Sequence, residues 1–221
     1  MATSTVEQFF SAADRAAVEA AVREVEQGTA GEIVPYAVSA CDDYEVARVR
    51  AALLASLACA LLAAVVHAVG GFWGAYLDLW IAVPPIAGAA LGYLAAALLP
   101  GLRRALVPDE ILEKRVAQRA ATAFLEQEVF ATRDRTGILI FLALFERRVV
   151  VLGDSGIAAR VAQHEWDDIV AGIVAGIRAG TPGKALAEGI RACAVLLARP
   201  GMERRRDDTD ELPDYLRLEE R

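Results

Sequence analysis

The chain has 221 residues, 56% of them hydrophobic, with 23 Lys and Arg against 30 Asp and Glu and a net charge of -7. These values exclude a collagen-like chain, a disordered chain and a disulfide-stapled secreted domain, and the acidic balance lacks the basic face that nucleic acid requires. The charge is unevenly spread, since between Ala51 and Leu102 the one charged side chain is Asp78; the sequence reads as a soluble body with one oily segment.

Ser11 followed by Asp14 predicts an N-cap and first-turn acid, opening a helix that runs to about Gln27 with Val18, Ala21, Val22 and Val25 on one face. Glu32 to Val38 predicts a strand, and Pro35 within it suggests a sheet edge or a strand end.

Two uncharged runs follow, Ala51 to Val69 and Leu79 to Leu99. The first, as a helix, measures about 29 Å, enough to cross a bilayer core. Pro84 and Pro85 lie near the start of the second run, where missing N–H groups cost little. The turn between the runs carries Phe72, Trp73 and Tyr76, with Trp80 just beyond, which are side chains suited to a membrane interface. Arg48, Arg50, Arg103, Arg104, Lys114 and Arg115 flank the spans on one side, and the turn between Gly70 and Asp78 holds neither Lys nor Arg. The bias predicts a two-span protein of the inner (cytoplasmic) membrane, with both termini and the soluble domain cytoplasmic. Ser56, Ala60 and Ala64, and the pair Gly88 and Gly92, form small faces that let helices approach closely, either within the hairpin or between copies in a homo-oligomer.

Beyond the spans, Pro108 opens a helix with Leu112, Val116, Ala120 and Phe124 on one stripe. Ile138 to Phe145 is nearly all apolar, as for a strand buried on both faces. A two-residue turn at Glu146-Arg147 leads to a strand at Val149 to Leu152. A helix with Trp166, Ile169, Val170, Ile173 and Ile177 ends at Gly180, and Thr181-Pro182 caps a last helix carrying Leu186, Ile190, Cys193 and Leu197. Neither soluble piece makes a sheet alone, so residues 1–47 and 105–200 are expected to form one discontinuous α/β domain. A hairpin whose ends lie about 10 Å apart can enter and leave a single loop of such a domain. In the segment 203–221, 13 of 19 residues are charged, which predicts a disordered tail over 201–221.

Cys41, Cys59 and Cys193 are widely spaced and form no C-x-x-C pair, as expected of reduced thiols in a cytoplasmic setting. Gly153-Asp154-Ser155-Gly156 superficially resembles the nucleophile segment of trypsin-like proteases. That chemistry needs a positioned histidine, and of the two histidines His67 lies in an apolar run while His164 precedes a helix as a loop or capping residue. The motif therefore reads as a turn leaving a strand.

Thr29-Ala30-Gly31-Glu32-Ile33-Val34, Arg135-Thr136-Gly137-Ile138-Leu139-Ile140-Phe141, the stretch from Phe145 to Ile157 and Trp166-Asp167-Asp168-Ile169-Val170 together resemble the TPM domain family. The resemblance spans nearly all of the two soluble pieces. It implies an α/β/α sandwich around a small mixed central sheet, here interrupted by a two-helix transmembrane hairpin. Some members of that family bind calcium, a plant branch is assigned acid phosphatase activity, and others act as assembly or modulating factors. Members with an exported domain carry an acidic residue before the glycine that opens the central strand, where this chain has Thr136.

Carboxylates form the one constellation of chemical interest. Asp154 follows a strand, Asp42 and Asp43 follow another, and Glu32 opens the first. Such loop acids suit Ca²⁺ or Mg²⁺. The leading expectation is a membrane-anchored cytoplasmic TPM-like module that binds membrane-protein partners; the alternative is a metal-dependent acid phosphatase.

Overall fold

The computed structural model describes residues 6–29, 31–70, 77–198 and 213–220. The chain divides into two compact units, one spanning Asp42–Leu112 and the other joining Ala2–Cys41 to Glu113–Arg221. The fold is mixed α/β, mostly helical, with a four-stranded mixed sheet.

In the sheet unit, α1 (Val6–Phe9) leads into α2 (Ala12–Gly28). The start of α2 is a reciprocal cap, in which the Asp14 N–H donates to Ser11 Oγ at 3.1 Å and the Ser11 N–H donates to Asp14 Oδ2 at 3.0 Å. Val18, Ala21, Val22 and Val25 are buried, as their helical spacing predicts. The strands are β1 (Ile33–Val38), β2 (Ile138–Ala143), β3 (Arg148–Gly153) and β4 (Arg217–Glu219), in the order β3-β2-β1-β4. β1 is parallel to both β2 and β4, and β2 is antiparallel to β3.

Side chains alternate across this sheet, and each face closes its own core. Ile33, Ala37, Ile138, Ile140 and Leu142 pack with α2 and with the helices α8 (Gln163–Arg178) and α9 (Pro182–Leu197), through Trp166, Ile173, Leu186 and Ile190. Val34, Tyr36, Val38, Leu139, Phe141 and Ala143 pack with Val116, Ala120 and Ala123 of α6 (Asp109–Glu126) and with Val129 of a 3-10 turn, Val129–Ala131. Burial on both faces explains the unbroken apolar run of β2.

Two local readings are corrected and a third is refined. The turn between β2 and β3 takes four residues, 144–147, with Arg147 at φ 56° and its N–H donating to the Leu144 carbonyl at 3.3 Å. Thr181 is the N-cap residue of α9 with Pro182 in the first turn, as expected, but its hydroxyl makes no cap bond and donates to the Gly176 carbonyl at 3.1 Å, closing the end of α8. The expectation of a disordered tail fails for residues 213–220, which supply β4.

That last point also explains Pro35. The Ile138 N–H donates to the Glu32 carbonyl, and the Ser39 N–H donates to the Glu219 carbonyl. In a parallel strand, alternate residues address opposite neighbours, so the Pro35 nitrogen faces the β4 side. β4 pairs with Tyr36, Ala37 and Val38 only. Pro35 is therefore in an inner strand, at a position where its missing N–H breaks no ladder bond.

The hairpin unit contains α3 (Glu45–Gly70), α4 (Leu77–Leu98) and α5 (Pro100–Ala105). α3 and α4 are long and apolar enough to cross a membrane, and they pack against each other. Gly88 and Gly92 lie at the contact: a Cβ on Gly88 would stand 2.6 Å from the Ala55 carbonyl oxygen, and one on Gly92 would collide with that of Ala51. Leu53, Leu57, Leu61, Val65, Ile81, Ile86, Leu94 and Leu98 point outward, exposed. Pro84 and Pro85 sit well inside α4, not at its start, because the helix begins at Leu77. Neither proline has an N–H to donate to the carbonyl four residues back. α5 places Arg103 and Arg104 directly after the second apolar helix. The Arg50 guanidinium donates to the Leu106 carbonyl at 3.0 Å.

Candidate functional site

The sheet unit carries three polar clusters. The first lies where β1 and β2 begin and β3 ends. Asp154, 5% exposed, is the N-cap of α7 (Ser155–Ala158) and accepts from the Ser155 N–H at 2.6 Å. Its Oδ2 lies 2.9 Å from Arg135 Nε, and its own N–H donates to the Gly137 carbonyl at 2.9 Å. Gly137 is required by close approach, since a Cβ there would collide with the Val129 carbonyl oxygen. Thr136 is buried beside it, its N–H donating to Thr132 Oγ1 at 3.0 Å. Gly153-Asp154-Ser155-Gly156 is thus a strand-to-helix turn, and His164 is an exposed residue of the first turn of α8.

Glu32 is buried at the same sheet end, one residue before β1. Asp42 and Asp43 follow the far end of β1 and belong to the hairpin unit, where Asp42 Oδ1 accepts from the Asp43 N–H at 2.7 Å. The Ca²⁺ or Mg²⁺ expected at Asp154 does not fit these residues. One carboxylate oxygen caps a helix, the other faces a guanidinium that already supplies positive charge, and Thr136 adds no acid. Among the described residues, no group of three or more His, Cys, Asp or Glu side chains is arranged to hold a metal ion.

The second cluster is at the opposite sheet end. Glu146, in the β2–β3 turn, is fully buried and accepts from the Cys41 N–H at 2.8 Å. A buried carboxylate in a hairpin turn holds the last residues before the hairpin unit begins. The sequence signal for it was an acid set between an apolar strand and a pair of arginines, which reads more simply as a solvated turn.

The third cluster lies along β1 and β4. Arg119 of α6 donates through Nη2 to Tyr36 Oη at 3.0 Å and to the Glu219 carboxylate, and through Nη1 to Glu126 at 2.8 Å. Tyr36 Oη also donates to Glu219. The Tyr36 ring stacks on Phe141 at 5.8 Å, and the Arg119 guanidinium lies 5.7 Å from its centroid. Burial, then the hydrogen bond to Glu219, raises the Tyr36 pKa well above its ordinary value. Burial works against the charge on Arg119, but Glu126, Tyr36 and Glu219 outweigh it and the net shift is upward. Arg217 is buried beside Tyr215, its guanidinium 5.4 Å from that ring, and burial lowers its pKa. Tyr36, Arg119, Arg217 and Glu219 were not candidates at the level of sequence.

On the hairpin unit, Ser56 and Ala60 are partly covered, as are Ala55 and Cys59, whereas Ala64 is exposed. Trp80 is exposed on α4; Phe72, Trp73 and Tyr76 lie outside the described residues.

The fold is similar to the NMR structure of the BA42 protein from the psychrophilic bacterium Bizionia argentinensis, with a TM-score of 0.58 and 20% sequence identity, covering 97% of this chain and 98% of that one. No protein-family model and no curated protein matches the chain. At that identity the likeness concerns the fold alone.

Proposed function

We propose that this chain is a membrane-anchored TPM-like module, an α/β/α sandwich tethered by its inserted hairpin to the cytoplasmic membrane, with sheet unit and termini on the cytoplasmic side. Its role is to bind, assemble or modulate membrane-protein partners. The observation that carries the reading is the contrast between the units. The sheet unit closes an apolar core on each face of its sheet, while α3 and α4 turn Leu, Ile and Val side chains outward along their length. A bilayer covers such apolar helices. The one-sided Lys and Arg flanks support the cytoplasmic orientation. The geometry at Asp154 gives the metal-dependent phosphatase alternative no support.

The test is affinity capture from membranes solubilised in several detergents, with the Asp42–Leu112 hairpin unit alone as control. The reading expects the same defined membrane proteins with the full chain in each detergent, and their loss with the hairpin alone. Recovery of chaperones only would overturn it.

A further inference from the structure

We infer that the β4-facing edge of β1 is a docking site for an extended acidic peptide, and that the C-terminal segment 213–220 is its resident, displaceable occupant. The inference gives partner chemistry to the interaction module proposed above and rests on that reading for its biological use. The site is built from residues far from the tail in sequence. The β1 edge supplies ladder bonds over Tyr36, Ala37 and Val38, and the Ser39 N–H donates to the Glu219 carbonyl at 3.1 Å. One face of the strand is apolar: Leu216 is buried in the core shared with α2 and α9, with Leu218 packed against it. The other face meets charge, where Arg119 and Tyr36 together bind the Glu219 carboxylate. At the two ends of the segment, on the side of α1 and α2, the Val6 N–H donates to Glu220 Oε1 at 2.7 Å and Arg23 Nε pairs with Asp214 at 3.0 Å.

The ligand read from these contacts is an extended segment of the form Leu-x-Leu-Glu-Glu. Backbone pairing supplies affinity and alternate pockets supply selectivity, as in other strand-addition sites. The occupant is suited to exchange. Only three residues of β4 enter the ladder, and the ion pairs holding Asp214 and Glu219 involve partly exposed side chains, where such pairs contribute little. A tethered segment is held at an effective concentration of about millimolar, so weak intrinsic binding keeps it in place. A partner presenting the same pattern can replace it without remaking the rest of the sheet.

The test uses the full chain in detergent with a protease site placed between residues 199 and 212, and a fluorescent synthetic peptide of residues 213–221. After cutting and removal of the tail, the peptide should bind at least tenfold more tightly than to the uncut chain. Arg119→Gln in the protein, or Glu219→Gln in the peptide, should each weaken that binding at least tenfold. Equal binding before and after cutting, or indifference to both substitutions, would overturn the site. So would loss of the native circular dichroism on tail removal, which would make β4 an integral part of the fold. Arg119-dependent dimers of the uncut chain would reassign the occupant to a second copy's tail and overturn the partner assignment. Because purified protein and peptide suffice, a failure here leaves the capture experiment on membrane partners to be judged separately.

Discussion

Ile33 of β1 lies opposite Ile138 of β2 in a parallel ladder, although the whole apolar hairpin separates them in sequence. The sheet is therefore closed by residues from both sides of the insertion, and, among the described residues, its two cores contain none from α3 or α4. Replacing residues 43–107 by a short Gly/Ser linker should yield a protein that stays in solution without detergent and unfolds cooperatively. Circular dichroism and a thermal melt check this. A broad, non-cooperative melt would mean that the hairpin contributes to the fold of the sheet unit.

The α3–α4 contact depends on side chains being absent at Gly92. Gly92→Leu should destabilise the hairpin by about 1–3 kcal/mol, the usual cost of overpacking a close interface. Gly101→Leu, where a Cβ meets nothing within 4 Å, serves as control. Unfolding of both variants in the same detergent micelles measures the difference, and equal stabilities would show that the glycine contact is not limiting.

Cys193 is buried on α9, and burial pushes its thiol from an ordinary 9.0 up to about 12. The folded chain keeps a proton that the unfolded chain loses, so this group's contribution is complete below pH 9 and is lost as pH rises toward 12. Between pH 9 and 10 the loss should be about 1 kcal/mol. Denaturant unfolding of the wild type and of Cys193→Ala over that interval isolates the contribution, because other alkaline titrations are common to both. Parallel pH dependences would contradict it.

Asp154 is assigned to the fold, not to a cation. Asp154→Ala should cost about 1 kcal/mol through the lost cap of α7, and Asp154→Asn much less, because Asn also caps. Ca²⁺ or Mg²⁺ should leave the melting temperature unchanged. A bound ion at a hundred times its dissociation constant would add about 2.7 kcal/mol, so a clear upward shift, abolished by Asp154→Asn, would restore the metal site.

Much of this fold is legible locally. The Ser11–Asp14 cap, the apolar stripe of α8 and the doubly buried β2 are each written in a contiguous stretch with its own period. The features that were not legible depend on long-range partners. Segment 213–220 is rich in charge and opens with Pro213, so its composition argues for solvent. Its pairing comes from Tyr36 and Arg119, 183 and 100 residues from Glu219. Pro35 carries an edge signal that is true only of the stretch β4 does not reach. Glu146 has the chemistry of a surface turn and is buried because the Cys41 N–H needs an acceptor. In the candidate site, Asp154 was found as an acid at a strand end, but its pairing with Arg135 crosses a turn that no sequence period reveals.

The central claim is an anchored module facing the cytoplasm, and cysteine accessibility in intact cells tests it most directly. In a background lacking Cys41, Cys59 and Cys193, one variant carries Ala75→Cys in the sequence between the two apolar helices. A second carries His164→Cys at an exposed position on the sheet unit. An impermeant maleimide should label Ala75→Cys in intact cells and His164→Cys only after lysis. Labelling of His164→Cys in intact cells, with Ala75→Cys protected until lysis, would contradict the orientation and the compartment together.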